Sequence, residues 1–211
     1  MKRTIYLIFS ILALLSSCED VTNDYRYPSV ITDYACLVTN HNGEPNRLTL
    51  DNGYSYPITF TNESDKQQSS YRVDTTYRVV CIYELTTDSI AQIHSIAQTM
   101  SIIPTLLQEG ETLYQDPVFL QSCWISGGFL NMTIELKALD GKHYIGFIDT
   151  TPSEMHGKEI TFYHNAHDDI ESYRQKLYAS IPLDTALQLS DTVRFIINTY
   201  EKGIIQQEFV L

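Results

Sequence analysis

The side chains best able to do chemistry crowd into His164-Asn165-Ala166-His167-Asp168-Asp169, the densest run of metal-type ligands in the chain. Two histidines three residues apart, with a carboxylate following, can hold zinc when a helix presents them on one face. Here the pair straddles the end of an expected strand and the loop after it. A solvated polar loop is therefore the stronger reading, and no metal is expected. Trp124, followed by Gly127-Gly128, offers a ring face of the kind that stacks on sugars. The same residues also describe a core Trp beside a bulge whose glycines take positive φ. Tyr54, Tyr56 and Tyr71 are further candidates for contacting a ligand, although tyrosine is an ordinary strand residue. No G-x-S-x-G elbow is present, and no Ser, His and Asp set is specified by spacing. Neither enzyme activity nor a cofactor is expected.

One short pattern recurs beyond what composition accounts for. Asp74-Thr75-Thr76, Asp88-Ser89-Ile90, Asp149-Thr150-Thr151, Asp184-Thr185-Ala186 and Asp191-Thr192-Val193 each place Ser or Thr after Asp and before a small, aliphatic or Thr residue. These triplets resemble an O-glycosylation signal of exported bacterial proteins, making Thr75, Ser89, Thr150, Thr185 and Thr192 candidate acceptors. Asp-Thr pairs also belong to ordinary turn chemistry.

The start of the chain concerns destination. Met1-Lys2-Arg3 is basic, and Ile5 to Leu15 is an almost wholly apolar run. That run is shorter than the roughly 20 residues a spanning helix needs. A basic start, a short apolar core and small residues before a break describe a secretory signal. Leu15-Ser16-Ser17-Cys18 resembles a bacterial lipobox, with Cys18 as the lipidated residue. Residues 1–17 are then a signal peptide and 18–32 a polar tether, and more than one acyl chain gives durable anchoring. Glu19-Asp20 after the Cys resembles a surface-export signal of Gram-negative lipoproteins. The expected address is the outer membrane, with the cell-surface orientation open.

The body is acidic. The 211 residues carry 14 Lys+Arg against 26 Asp+Glu, a net charge of −12, and losing Lys2 and Arg3 with the signal makes it −14. Both halves share the excess, so no basic face exists for phosphate contacts and nucleic acid is excluded as a partner.

The elements that must position these residues read as strands. Asn42-Gly43, Asp51-Asn52-Gly53, Asp140-Gly141 and Glu201-Lys202-Gly203 are turn signals. Between them lie expected strands at 34–39, 47–50, 54–60 and 75–85, with a polar loop at 62–70. Seven more follow at 118–125, 129–138, 142–149, 158–164, 176–183, 192–200 and 204–210. That spacing argues for a β-sandwich. Ile90, Ile93, Ala97, Met100 and Leu107 follow helical spacing, and on periodicity alone read as a helix.

Several segments resemble NigD-like lipoproteins. They are Asn42 to Gly53, Tyr77 to Tyr83, Cys123-Trp124-Ile125-Ser126-Gly127-Gly128-Phe129-Leu130-Asn131, Ser180 to Leu183, Thr192-Val193 and Asn198-Thr199-Tyr200. The resemblance spans about residues 33–210 and implies an all-β chain: an OB-type five-stranded barrel at 33–106, a linker at 107–116 and a β-sandwich at 117–211. It also implies a strand over Ala91–Ser101 in place of the helix. Within such a barrel Cys36 and Cys81 lie on strands that pair, so a bridge between them is open, with buried free thiols the stronger reading. Cys123 is left over. The family is named for a bacteriocin operon in which an immunity role was proposed, and it brings no catalytic residues. The function expected is a non-enzymatic envelope lipoprotein that binds a partner protein or glycan. Immunity is the alternative and an envelope hydrolase a remote one.

Overall fold

The structure is a computed structural model that describes residues 29–61, 71–183 and 192–210. The expected signal peptide, Cys18, the loop at 62–70 and Thr185 lie outside the described residues. The fold is all-β, a closed barrel followed by two further sheets.

The barrel is formed by β1 (Ile31–Thr39), β2 (Pro45–Leu50), β3 (Ser55–Phe60), β4 (Thr76–Leu85) and β5 (Ala91–Gln98). Its order is β1-β2-β3-β5-β4, closed by β4 pairing with β1, with β3 and β5 parallel. This is the OB-type arrangement. Alternation sorts the side chains. Ala35, Leu37, Val79, Cys81 and Tyr83 point into the barrel core. Cys36 and Arg78 occupy the intervening outward positions and face each other in register.

That alternation settles the cysteines. Cys36 pairs with Arg78 while Cys81 pairs with Asp33, and the two thiols lie on opposite faces of the sheet. Cys36, Cys81 and Cys123 are all free. Burial pushes the Cys81 and Cys123 thiols up to about 12, which keeps them protonated and unreactive.

Residues 91–98 are strand, and the helix-like set falls on different faces and elements: Ile93 and Ala97 on β5, Met100 on a later strand. Ile82 pairs with Ser95 and Tyr83 with Ile93, so His94 is an extra residue in β5. Such a bulge resets the alternation. Ala91 and Ile93 point inward before it and Ile96 after it, while Ala97, paired with Val80, lies on the other face. The strand expected to run to Ser101 breaks at Thr99, whose N–H and hydroxyl both donate to the Arg78 carbonyl.

Beyond that break the chain joins the sandwich. One sheet has the order β6 (Met100–Ser101), β12 (Tyr173–Pro182), β9 (Phe129–Ala138) and β8 (Phe119–Ser126). The other runs β14 (Gly203–Val210), β13 (Thr192–Thr199), β11 (Lys158–Asn165), β10 (Tyr144–Asp149) and β7 (Thr105–Leu106). Met132, Ile134, Phe147, Phe162, Ile181 and Phe195 fill the space between them, each almost fully buried. Met100–Ser101 and Thr105–Leu106 thus pair with sandwich strands. Two-residue strands carry too little periodicity to be read in advance.

Candidate functional site

The outward face of β1 rests on the sandwich, and the junction leaves a cleft of about 530 Å³. Tyr34 lines it, pointing outward because Ala35 beside it points in. Its hydroxyl donates to the Met132 carbonyl at 2.8 Å and shares a 3.2 Å bond with Thr133 Oγ1. Burial, first among the causes, pushes this phenol up to about 12. Trp124 meets Tyr34 edge-on with centroids 4.9 Å apart, and Tyr178 does so at 6.0 Å. Three aromatic rings from β1, β8 and β12 thus line one cleft.

The polar wall comes from the barrel. Asp33, next to Tyr34 on β1, is turned to the core side and accepts a 2.9 Å hydrogen bond from the Tyr83 hydroxyl. Asp51, in the turn after β2, is held by both arms of the Arg78 guanidinium and by the Ser126 hydroxyl. Arg78 also donates to Asn131 Oδ1 at 2.9 Å and stacks over the Phe129 ring at 4.2 Å. Trp124 Nε1 donates to Ser126 Oγ at 3.1 Å, which ties the ring to the same network. The cleft therefore has rigid walls.

Of the expected contact residues only Trp124 lines this cleft. Tyr54 is exposed and stacks on Tyr56 with centroids 6.4 Å apart. Tyr56 and Tyr71 pack against the barrel core, and Tyr71 meets Tyr77 at 5.0 Å. Sequence reading missed Tyr34, Tyr178, Asp33 and Asp51. The alternation of β1 marks Tyr34 as outward, but not the sheet it meets.

The histidine run divides. His164 is buried, whereas His167 and Asp168 are exposed in left-handed backbone. His164 Nε2 lies 2.8 Å from Nδ1 of His143, whose Nε2 lies 3.1 Å from Asp169 Oδ2. His164 Nδ1 faces the Asp116 carbonyl at 3.0 Å. Among the described residues, no group of three or more His, Cys, Asp or Glu side chains is placed to hold a metal ion. The arrangement ties the loop at 165–170 to the turn before β10 and to the segment before β8.

The candidate glycan acceptors also differ. Ser89 is exposed at a turn with φ of 57°. The Thr150 hydroxyl is engaged with Glu159 and Thr161. The Thr75 hydroxyl donates to the Val73 carbonyl at 2.8 Å, and Thr192 is half-buried at the start of β13.

Comparison with known proteins gives one family. The model of the NigD-like C-terminal beta sandwich domain matches residues 101–211. A solved NigD-like immunity protein from Bacteroides caccae is 26% identical, with a TM-score of 0.72 over 88% of this chain and 99% of that one. A protein described as toxin-related, from Parabacteroides distasonis, is 18% identical at a TM-score of 0.65, covering 86% and 93% of the two chains. One described as a candidate lipoprotein, from Bacteroides fragilis, is 8% identical at 0.56, covering 85% and 96%. The last two likenesses are of fold alone. No curated protein matches the chain.

Proposed function

Given that this chain belongs to the NigD-like family, we propose that it is a non-enzymatic outer-membrane lipoprotein, anchored through Cys18, that binds a partner protein or glycan in the barrel–sandwich cleft. The observation that carries the binding role is the convergence of Tyr34, Trp124 and Tyr178 on a cleft of about 530 Å³. Pockets of that size with aromatic walls and a few fixed polar groups are typical ligand sites. The lipobox supports the anchor, as does the description of the Bacteroides fragilis protein of the same fold.

The test is a pull-down from the cell envelope with the full-length protein and its Tyr178→Ala variant. A partner captured by the wild type and lost with Tyr178→Ala is the expected result. Equal capture by both moves binding away from the cleft. For the anchor, Cys18→Ala is expected to leave the membrane fraction, and retention there sinks the lipid reading.

A second reading, immunity, is favoured by the description of the Bacteroides caccae protein, which aligns over nearly its whole length. A deletion strain challenged with toxins of neighbouring strains decides it. Heightened sensitivity supports immunity, and unchanged sensitivity ends it.

A further inference from the structure

We infer that the cleft takes an uncharged glycan, a chain of neutral sugars laid against Tyr34, Trp124 and Tyr178; this rests on the reading of the cleft as the binding surface. The sheet register explains why the rings meet there. Cys123 and Ile125, on either side of Trp124 in β8, pack into the sandwich core, so Trp124 points out of it. Trp124 pairs with Asn131, and Thr133 pairs with Tyr178, which carries the same outward face across β9 and β12. That face meets the outward face of β1, from which Tyr34 reaches across to Met132 and Thr133. All three rings are half-buried, closed into neither core.

The lining presents no free charge to a ligand. Asp51 has both oxygens committed to Arg78 and one of them also to Ser126. Asp33 pairs in register with the core-facing Cys81 and accepts from the core-facing Tyr83 hydroxyl. Its carboxylate therefore lies on the barrel side of β1, away from the rings. None of the described residues lining the cleft is Lys, Arg or His. An anionic or a cationic ligand finds no counter-charge here, and burying a lone charge is costly.

What the lining offers is neutral hydrogen bonding beside ring faces. Thr32 shares the outward face of β1 with Tyr34, and neither its hydroxyl nor that of Tyr178 is hydrogen-bonded among the described residues. Asn52 accepts from the Tyr54 N–H through Oδ1 at 3.0 Å, which leaves its amide N–H groups to donate. A sugar hydroxyl both donates and accepts, so it can answer each of these groups. The C–H faces of sugar rings are apolar and pack on aromatic side chains. A purely apolar ligand strands the polar groups. A concave site of about 530 Å³ also suits a short run of sugars better than a protein face, which spreads over roughly 800 Å² per partner.

The chain supplies its own reporter, because Trp124 is its single tryptophan and lines the cleft. The full-length protein in detergent is titrated with cellohexaose, xylohexaose, mannohexaose and maltohexaose, and with tetragalacturonate and tetralysine as charged probes. Binding is read by Trp124 emission and by calorimetry. Saturable binding of at least one neutral hexasaccharide is expected, unchanged as salt is raised, with both charged probes silent. Thr32→Val keeps the branched shape and loses the hydroxyl, and is expected to weaken that sugar about fivefold. Tyr178→Ala removes a ring and is expected to weaken it about tenfold.

Silence toward all four neutral sugars overturns the glycan, and so does a charged probe that binds as tightly as they do. Wild-type affinity in either variant overturns its place in the cleft. With the glycan overturned, the pull-down with Tyr178→Ala decides the cleft separately. A protein captured by the wild type and lost with the variant keeps the cleft as the binding surface, and equal capture removes both readings.

Discussion

Arg78 and Asp51 hold each other in a two-armed ion pair, at 2.5 and 2.7 Å, between the barrel and the sandwich. The Arg78 side chain is 2% exposed and that of Asp51 17%. Both belong to the barrel, yet Ser126, Asn131 and Ser180 of the sandwich complete their hydrogen bonding. The pair thus lets two domains share a polar seam without stranding a charge.

Removing one partner strands the other. Arg78→Met leaves the Asp51 carboxylate with Ser126 alone, and is expected to cost about 3–5 kcal/mol, nearer the lower figure because Asp51 keeps some solvent. Arg78→Lys keeps the charge but loses the fork, so it falls between. The double variant Arg78→Met, Asp51→Leu is expected to recover much of the loss, since no lone charge remains. Urea unfolding of the four proteins checks the order. A double variant as weak as Arg78→Met contradicts it.

Gly127 carries a second test of the same seam. Its φ is +58°, and a Cβ there runs into the Asp51 carboxyl group. Gly128, at φ +80°, has open space around its Cβ position. Gly128→Ala is therefore expected to cost only the left-handed backbone penalty of about 1–2 kcal/mol. Gly127→Ala adds displacement of Asp51 and a disturbed Arg78 fork, for about 2–4 kcal/mol in all. Thermal melting of the two variants separates them, and equal losses contradict the close approach.

Ser89 is the acceptor through which glycosylation is best tested. It is exposed at a turn, whereas the Thr150 hydroxyl is already engaged by Glu159 and Thr161. In protein from the native host, Ser89→Ala is expected to lower the intact mass by a glycan, and Thr150→Val to remove only the methyl-for-hydroxyl difference. A wild-type mass equal to polypeptide plus lipid sinks the proposal.

The strand pattern was legible because one-sided burial writes period two into the chain. Residues 129–138 show it best, as Met132, Ile134, Leu136 and Ala138 go inward while Glu135 and Lys137 stay half-buried. The bulge at His94 was illegible, since one inserted residue breaks period two and nothing local marks where. Of the cleft, only Trp124 was legible. Trp124 stood out as a lone Trp beside two glycines, but Tyr34, Tyr178 and Asp33 come from strands far apart in the chain. Nothing local marks which outward tyrosine meets another domain. His143 escaped notice for the same reason, lying 21 residues from its partner His164.

That histidine pair predicts an acid-sensitive sandwich. The Asp116 carbonyl only accepts, so His164 Nδ1 carries its proton and Nε2 offers a lone pair. His143 Nδ1 then donates to that lone pair at 2.8 Å, and its Nε2 lies 3.1 Å from the Asp169 carboxylate. A second proton on His164 sets two N–H groups against each other at 2.8 Å. Burial, with the nearby His143, holds His164 below its ordinary value of 6.5. Its unfolded counterpart takes up a proton near pH 6.5 while the folded one resists, so the stability it contributes is full above that pH and declines as pH falls. Asp169, held down to about 2 by the Leu139 N–H first and His143 after it, adds a separate loss that begins below about pH 4. His164→Gln can still accept from His143 and donate to Asp116 but does not titrate. It is expected to flatten the stability slope between about pH 6.5 and 4.5 and to leave the decline below about pH 4 in place. Urea midpoints across that range check this, and parallel slopes for the two proteins contradict it.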